Sequence, residues 1–168
     1  MSPAWYAVYA QVRHEGKVYS RLVAKSFECV FPQMERWSRR RDRRKRIQVP
    51  LFPGYLFVRT PLDNQTHVKI LQTPGVVSLV HNENGPLPVP DNQMTSLLTL
   101  LGNASVLSTH PYLREGMKVR VATGPLYGCE GILVSRRDEK ARLVVAIDII
   151  QQAVSVELNE GDVEPLSV

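Results

Sequence analysis

Four histidines, His14, His67, His81 and His110, are the side chains suited to moving protons near neutral pH. A working acid–base site needs such a ring beside a carboxylate or a nucleophile. These four are spread along the chain, and no nucleophile motif or metal-spaced set accompanies them, so the chain reads as non-enzymatic. Cys29 and Cys129 lie 100 residues apart. A thiolate metal site needs more ligands at closer spacing, so neither a metal nor any other cofactor is expected, and two lone thiols suit a reducing compartment.

The chemistry that the sequence does favour is recognition. Between residues 36 and 46 stand Arg36, Arg39, Arg40, Arg41, Arg43, Arg44, Lys45 and Arg46, broken only by Asp42 among charged residues. Eight of the chain's 21 basic residues and one of its 16 acids fall here, which leaves 13 basic against 15 acidic elsewhere. The positive balance of +5 is therefore local, a basic arm on an otherwise slightly acidic protein. Like charges at that density repel, so the arm is predicted to be a mobile loop. Its plain role is solubility; its functional role is contact with DNA or RNA phosphates. Engagement of five charges would give a log–log salt slope of about −4.5 on duplex. No element here reads base edges, so the arm would add affinity more than sequence preference. Arg13, His14 and Lys17 open the first helix and extend the same surface.

A second recognition element is apolar. Pro53 and Gly54 make a tight bend inside Val49–Val58, and such a bend exposes the neighbouring rings, Phe52 and Tyr55. Both rings could equally be core residues; left outside, they form the kind of apolar patch that soluble proteins rarely keep without a partner. A third segment, Gly124-Pro125-Leu126-Tyr127-Gly128-Cys129-Glu130-Gly131, is a forced turn between strands. It lacks the Gly-Lys-Ser/Thr ending and following helix of a phosphate cradle.

The elements that position these segments follow from periodicity. Trp5–Val12 is aromatic and β-branched and reads as a strand; Val18, Tyr19, Leu22 and Val23 recur at helical spacing; Glu28–Phe31 is a short strand ended by Pro32. Ile47–Leu51 and Tyr55–Arg59 are extended, Asn64–Gln72 is helical and Val76–Val80 is a strand. Asn82–Gly85 is a turn, and Asp91 is placed to cap a helix whose apolar face is Met94, Leu97, Leu98 and Leu101. Residues 102–111 lack periodicity and read as a linker. Lys118–Ala122, Gly131–Val134, Arg142–Ile147 and Ala153–Leu158 are four short strands, the pattern of a small barrel. The runs Leu143–Ile147 and Val154–Val156 favour strand strongly enough that this barrel is not expected to convert to helix. Neither a signal peptide nor a membrane-spanning run is apparent, so a cytoplasmic location, without a membrane partner, is expected.

Trp5-Tyr6-Ala7-Val8, the Leu51–Val58 segment, Thr73-Pro74-Gly75-Val76 and the 124–131 loop, a KOW motif, occur in the order seen in NusG-family proteins. The chain resembles that family from about residue 5 to residue 163. Trp37-Ser38, the basic run and Pro50-Leu51-Phe52-Pro53-Gly54-Tyr55 look more like the specialised RfaH, UpxY and LoaP types than like housekeeping NusG.

The resemblance implies an α+β NGN domain, an antiparallel sheet flanked by helices, over 1–101. Beyond it come a linker over 102–111 and an all-β SH3-like KOW barrel over 112–168. It further implies a transcription elongation or antitermination factor that suppresses pausing through its first domain. Tyr9, Phe52, Pro53 and Tyr55 match the surface that family members pack on the clamp helices of the RNA polymerase β′ subunit. Thr66, His67, Val68 and Lys69 match the stretch that faces the gate loop of the β subunit. The basic residues would lie toward non-template DNA or nascent RNA. In the KOW domain Leu126, Cys129 and Ile150 match the positions that contact termination factor Rho or a small-subunit ribosomal protein. They are smaller than the family's aromatics, which argues against Rho. A monomer is expected. The alternative is a KOW-containing ribosomal or RNA-binding protein, which explains the barrel and the arm but not the Phe-Pro-Gly-Tyr patch.

Overall fold

The computed structural model describes residues 2–38, 45–103, 106–135 and 141–166. It divides into two compact units, residues 1–89 and 90–168.

The first unit runs β1 (Ala4–Ala10), α1 (Glu15–Ala24), β2 (Glu28–Val30), β3 (Gln33–Trp37), β4 (Arg46–Pro50), β5 (Tyr55–Thr60), α2 (Asn64–Leu71), β6 (Val76–Leu79), β7 (His81–Asn82) and β8 (Gly85–Pro86). Its main sheet has the antiparallel order β2-β5-β1-β6. Strand side chains alternate between faces, and the register here sorts them cleanly. Val8 and Ala10 of β1 and Leu56 and Val58 of β5 share a buried cluster with Leu79, with Val18 and Leu22 of α1, and with Ile70 of α2. Val18 and Leu22 are one helical turn apart, so α1 presents a single apolar stripe to the sheet. Each such side chain contributes about 1.5–3 kcal/mol by leaving water. The opposite parity, Trp5, Ala7 and Tyr9 on β1, pairs in register with Arg59, Phe57 and Tyr55 on β5.

Asp63 starts α2 as the sequence pattern of a cap requires. Its backbone is extended and its Oδ1 accepts the Thr66 N–H at 2.7 Å. Hydrogen bonds from Thr66, backbone first and side chain second, hold the carboxyl below its usual range. A carboxyl that titrates lower when folded stabilises above its unfolded pKa, and that contribution vanishes as pH falls through the folded value. Asp63→Ala is therefore expected to melt below the parent at neutral pH. The two melting temperatures should converge as the pH is taken from neutrality down through the carboxylate range. A gap that stays constant through that range would show that the carboxylate cap is not what stabilises α2.

The basic arm departs from the expected loop. Its described ends form a two-stranded antiparallel ribbon, β3 with β4, in which Trp37 faces Arg46 and the Ser38 N–H donates to the Lys45 carbonyl at 2.7 Å. Cross-strand backbone bonds outweigh the repulsion there because the charged heads remain in water. Arg39, Arg40, Arg41, Arg43 and Arg44, and with them the expected mobility of the arm's centre, lie outside the described residues.

The second unit contains α3 (Asp91–Asn103), β9 (Ser108–His110), β10 (Met117–Val121), β11 (Glu130–Ser135), β12 (Ala141–Ile147), β13 (Gln152–Leu158) and β14 (Val163–Pro165). Its six strands are antiparallel in the order β14-β10-β11-β12-β13-β9. Two differences from the expected organisation stand out. Part of the expected linker is strand, because residues 108–110 pair with β13. The third helix, expected to close the first domain, falls in the second unit. There the Ser96 hydroxyl accepts the Glu130 N–H at 2.9 Å, and the Gln93 amide both donates to and accepts from Asp148. Asp91 is the first helical residue, not the cap; the Pro90 carbonyl takes the Gln93 and Met94 N–H groups, both at 3.1 Å. Both strand-favouring runs of the second unit are strand, in β12 and β13.

Candidate functional site

Phe52, Pro53, Gly54 and Tyr55 form the turn that delivers the chain into β5. The Tyr55 N–H donates to the Phe52 carbonyl at 3.0 Å and Gly54 has φ of +86°. Proline second and a positive φ third define a type II turn, which disfavours any residue but glycine at its third position. Two further bonds tie the turn to its neighbours. The Ala10 N–H donates to the Gly54 carbonyl at 2.7 Å, and the Gly54 N–H donates to Oε2 of the buried Glu15 at 3.1 Å. A Cβ on Gly54 would meet Tyr9 Cε2 at 3.3 Å, so the glycine also leaves room for that ring.

The result is a pair of tyrosines. Tyr9 and Tyr55 stand directly opposite on β1 and β5, with ring centroids 5.3 Å apart and planes tilted by 45°. Tyr9 is 39% exposed and Tyr55 is half-buried. Burial, and secondarily Tyr9, raise the Tyr55 hydroxyl pKa above its ordinary value. Pro53 is exposed beside them. Phe52 does not join this patch, contrary to expectation. It is 1% exposed, and its ring meets Phe57 edge-on at 6.3 Å. The bend turns the ring on its N-terminal side inward and leaves the ring on its C-terminal side outward, so only one of the two faces out.

The other expected site residues are distributed over separate elements. Thr66, His67, Val68 and Lys69 share α2, where Val68 and Lys69 are exposed and Thr66 and His67 are half-buried. Arg13 and Lys17 are exposed on either side of the start of α1, and His14 is its half-buried first cap residue. Lys45 and Arg46 are exposed on the ribbon. There Arg46 pairs with Glu35 at 3.6 Å and lies 5.3 Å from the centroid of the Trp37 ring.

In the second unit, Gly124 and Gly128 take positive φ and shape the loop between β10 and β11. Of the expected partner surface, Leu126 is half-buried, whereas Cys129 and Ile150 are buried. The Cys129 thiol points to the Ser96 carbonyl of α3, 3.7 Å away. The exposed aromatic of this loop is Tyr127, at 71% exposure. The sequence does hold a signal for it, an aromatic next to a glycine in a forced turn, but family position points to Leu126 instead.

The thiols are unsuited to nucleophilic work. Burial, then Glu28, push the Cys29 pKa up to about 11, and burial raises that of Cys129. Among the described residues no group of three or more His, Cys, Asp or Glu could hold a metal ion. No helix among them is long and apolar enough to cross a membrane.

Comparison with known proteins brings one family forward. The model described as "Transcription termination factor nusG" matches residues 3–98. The transcription termination/antitermination protein NusG of Thermus thermophilus is 28% identical over 181 residues, covering 97% of this chain and 98% of that protein. The protein of the same description from Vibrio parahaemolyticus is 29% identical over 173 residues, covering 96% and 95%. The solved structure of Thermotoga maritima NusG aligns with a TM-score of 0.59 at 22% identity over 99% of both chains, a likeness of fold.

Proposed function

The chain belongs to the NusG family, and from that premise we propose that it is a transcription termination/antitermination factor of the specialised RfaH, UpxY and LoaP type. It binds the clamp helices of the RNA polymerase β′ subunit through its first unit and suppresses pausing or termination. The observation that carries this reading is the Tyr9–Tyr55 pair, two rings in register at a strand end, held outward by a turn that Glu15 and Ala10 both brace. Paired aromatics with one exposed edge are the residues that dominate protein interfaces.

Pro53 completes this contact, and Phe52 supports it from behind through Phe57. Thr66, His67, Val68 and Lys69 on α2 meet the β gate loop. A factor that grips both sides of the cleft holds the clamp closed, and a closed clamp disfavours the paused state. Arg13, His14, Lys17 and the basic arm face non-template DNA or nascent RNA. In the KOW unit Leu126 and the exposed Tyr127 form the contact for a small-subunit ribosomal protein. Rho binding is not expected, since Cys129 and Ile150 are buried and only Leu126 and Tyr127 of this surface remain accessible. The protein acts as a cytoplasmic monomer and not as an enzyme.

The test is single-round transcription with purified bacterial polymerase on a template with a defined pause. Added protein is expected to shorten the pause lifetime and to co-purify with polymerase. Unchanged or lengthened pauses, or co-purification with ribosomal RNA instead, would overturn the reading.

A further inference from the structure

We propose that the β3–β4 ribbon carries a stacking site for an unpaired nucleic-acid base, built from Trp37 and Arg46 and specific for single-stranded over duplex strands. The proposal rests on the nucleic-acid role given above to the basic segment and specifies its ligand.

Trp37 and Arg46 are partners in register at the described end of the ribbon, so their side chains emerge on the same face. The guanidinium carbon of Arg46 lies 5.3 Å from the Trp37 ring centroid, a cation–π contact. Glu35, two residues along the same strand face, holds the same guanidinium at 3.6 Å. The pair is thereby ordered before any ligand arrives. Yet Trp37 remains 57% exposed, and the Arg46 and Glu35 side chains are 65% and 53% exposed. The arginine thus covers only part of the indole.

The surroundings select the ligand. Arg36 alternates to the opposite face of β3 and Lys45 immediately precedes β4, both exposed, so cations flank the Trp37–Arg46 face and the ribbon end as a whole carries three of them against one carboxylate. That charge fits a polyanion. The indole fits a flat apolar ring, and a strand with an accessible base supplies both. In a duplex the base faces are covered by their neighbours, so only the phosphates remain to be bound. The charges therefore serve either form, and the indole discriminates between them.

The experiment is fluorescence anisotropy on the full chain. The probes are labelled single-stranded DNA, single-stranded RNA and duplex DNA of about 12 nucleotides or pairs. The variants are Trp37→Ala, Trp37→Phe and Arg46→Gln. Trp37→Ala is expected to weaken single-strand binding about tenfold and leave duplex binding within about twofold, because one stacked base is lost. Trp37→Phe, which keeps a π-face, should recover most of the loss. Trp37→Ala should leave the salt slope unchanged, since an indole displaces no counterion, whereas Arg46→Gln should reduce it by about 0.7 on single strands. The DNA and RNA arms tell which strand is preferred; either preference supports the site. Equal weakening on single strand and duplex, or no weakening with Trp37→Ala, would overturn the stacking site while leaving the basic segment's role intact. Absence of binding by the parent chain to all three probes would overturn that role as well.

Discussion

Tyr9→Ala combined with Tyr55→Ala is expected to abolish pause suppression and to weaken polymerase binding by two orders of magnitude or more. The reasoning is one of area and order. Truncating a tyrosine at the centre of an interface loses its own covered area and the partner area packed on it, about 2 kcal/mol or more, so the pair accounts for about 4 kcal/mol, and each 1.4 kcal/mol is tenfold in affinity. The rings are already ordered by each other at 5.3 Å, so little rotamer freedom is lost on binding. The fold should survive, because Tyr9 is 39% exposed and the turn is held by the Gly54 and Glu15 backbone and carboxylate bonds, not by these rings. Tyr→Phe at both positions should retain most of the affinity, since the apolar area persists.

Phe52→Ala is a poor substitute for this experiment despite its place in the same motif. Phe52 is 1% exposed, and its truncation would leave a cavity costing about 3–5 kcal/mol of stability. Its loss of activity would therefore follow from unfolding. Pull-down of purified polymerase, with circular dichroism of each variant beside it, separates the two causes. A double tyrosine variant that is folded and still binds with parental affinity would remove this surface from the mechanism.

Gly131→Ala is expected to be the most damaging single methyl group in the second unit. Gly131 is the second residue of β11 after the KOW turn; it pairs with Val119 of β10 and precedes Ile132, which pairs with Val144 of β12. A Cβ there would lie 2.4 Å from the Val144 carbonyl oxygen, 3.0 Å from Leu143 Cδ1 and 3.1 Å from the Val144 carbonyl carbon. The obstacle is backbone inside a paired strand, which cannot swing aside as a side-chain end would. Overpacking of this kind costs about 1–3 kcal/mol and more where backbone must move. A domain of this size should then lose on the order of 10 °C in Tm. Gly161→Ala is the matched control, because nothing lies within 4 Å of its added methyl. Thermal denaturation with hydrogen exchange at the β12 amides reads the result. Equal melting of the two variants would mean that the strands separate freely at Gly131 and that the tight crossing is not structural.

Much of this protein was legible from residue types alone. Local rules sufficed for β1, α1, α2 and β5 and for the central strands of the second unit, because each carries its own apolar period. The Pro53-Gly54 bend was equally legible, since proline fixes φ and only glycine enters the +86° region without strain. The localisation of positive charge in residues 36–46 was arithmetic on the sequence.

What the sequence left open was direction. Phe52 and Tyr55 are both bulky rings at one turn, and composition cannot say which faces out. The register of β1 with β5 decides it, pairing Tyr55 with Tyr9 at the edge while Phe52 turns to Phe57. Cys129 and Ile150 are buried for the same kind of reason, as Cys129 meets Ser96 from a helix more than 30 residues away. The β4 half of the ribbon was legible as an extended run, but β3 and the strand at residues 108–110 were hidden because backbone pairing with a partner strand, and not the residues' own preference, makes them extended. Sequence by itself therefore determined which segments bend, coil or extend, because those choices rest on neighbours along the chain. Only the tertiary structure decided which face of each segment meets water, because that depends on partners brought in from far away in sequence.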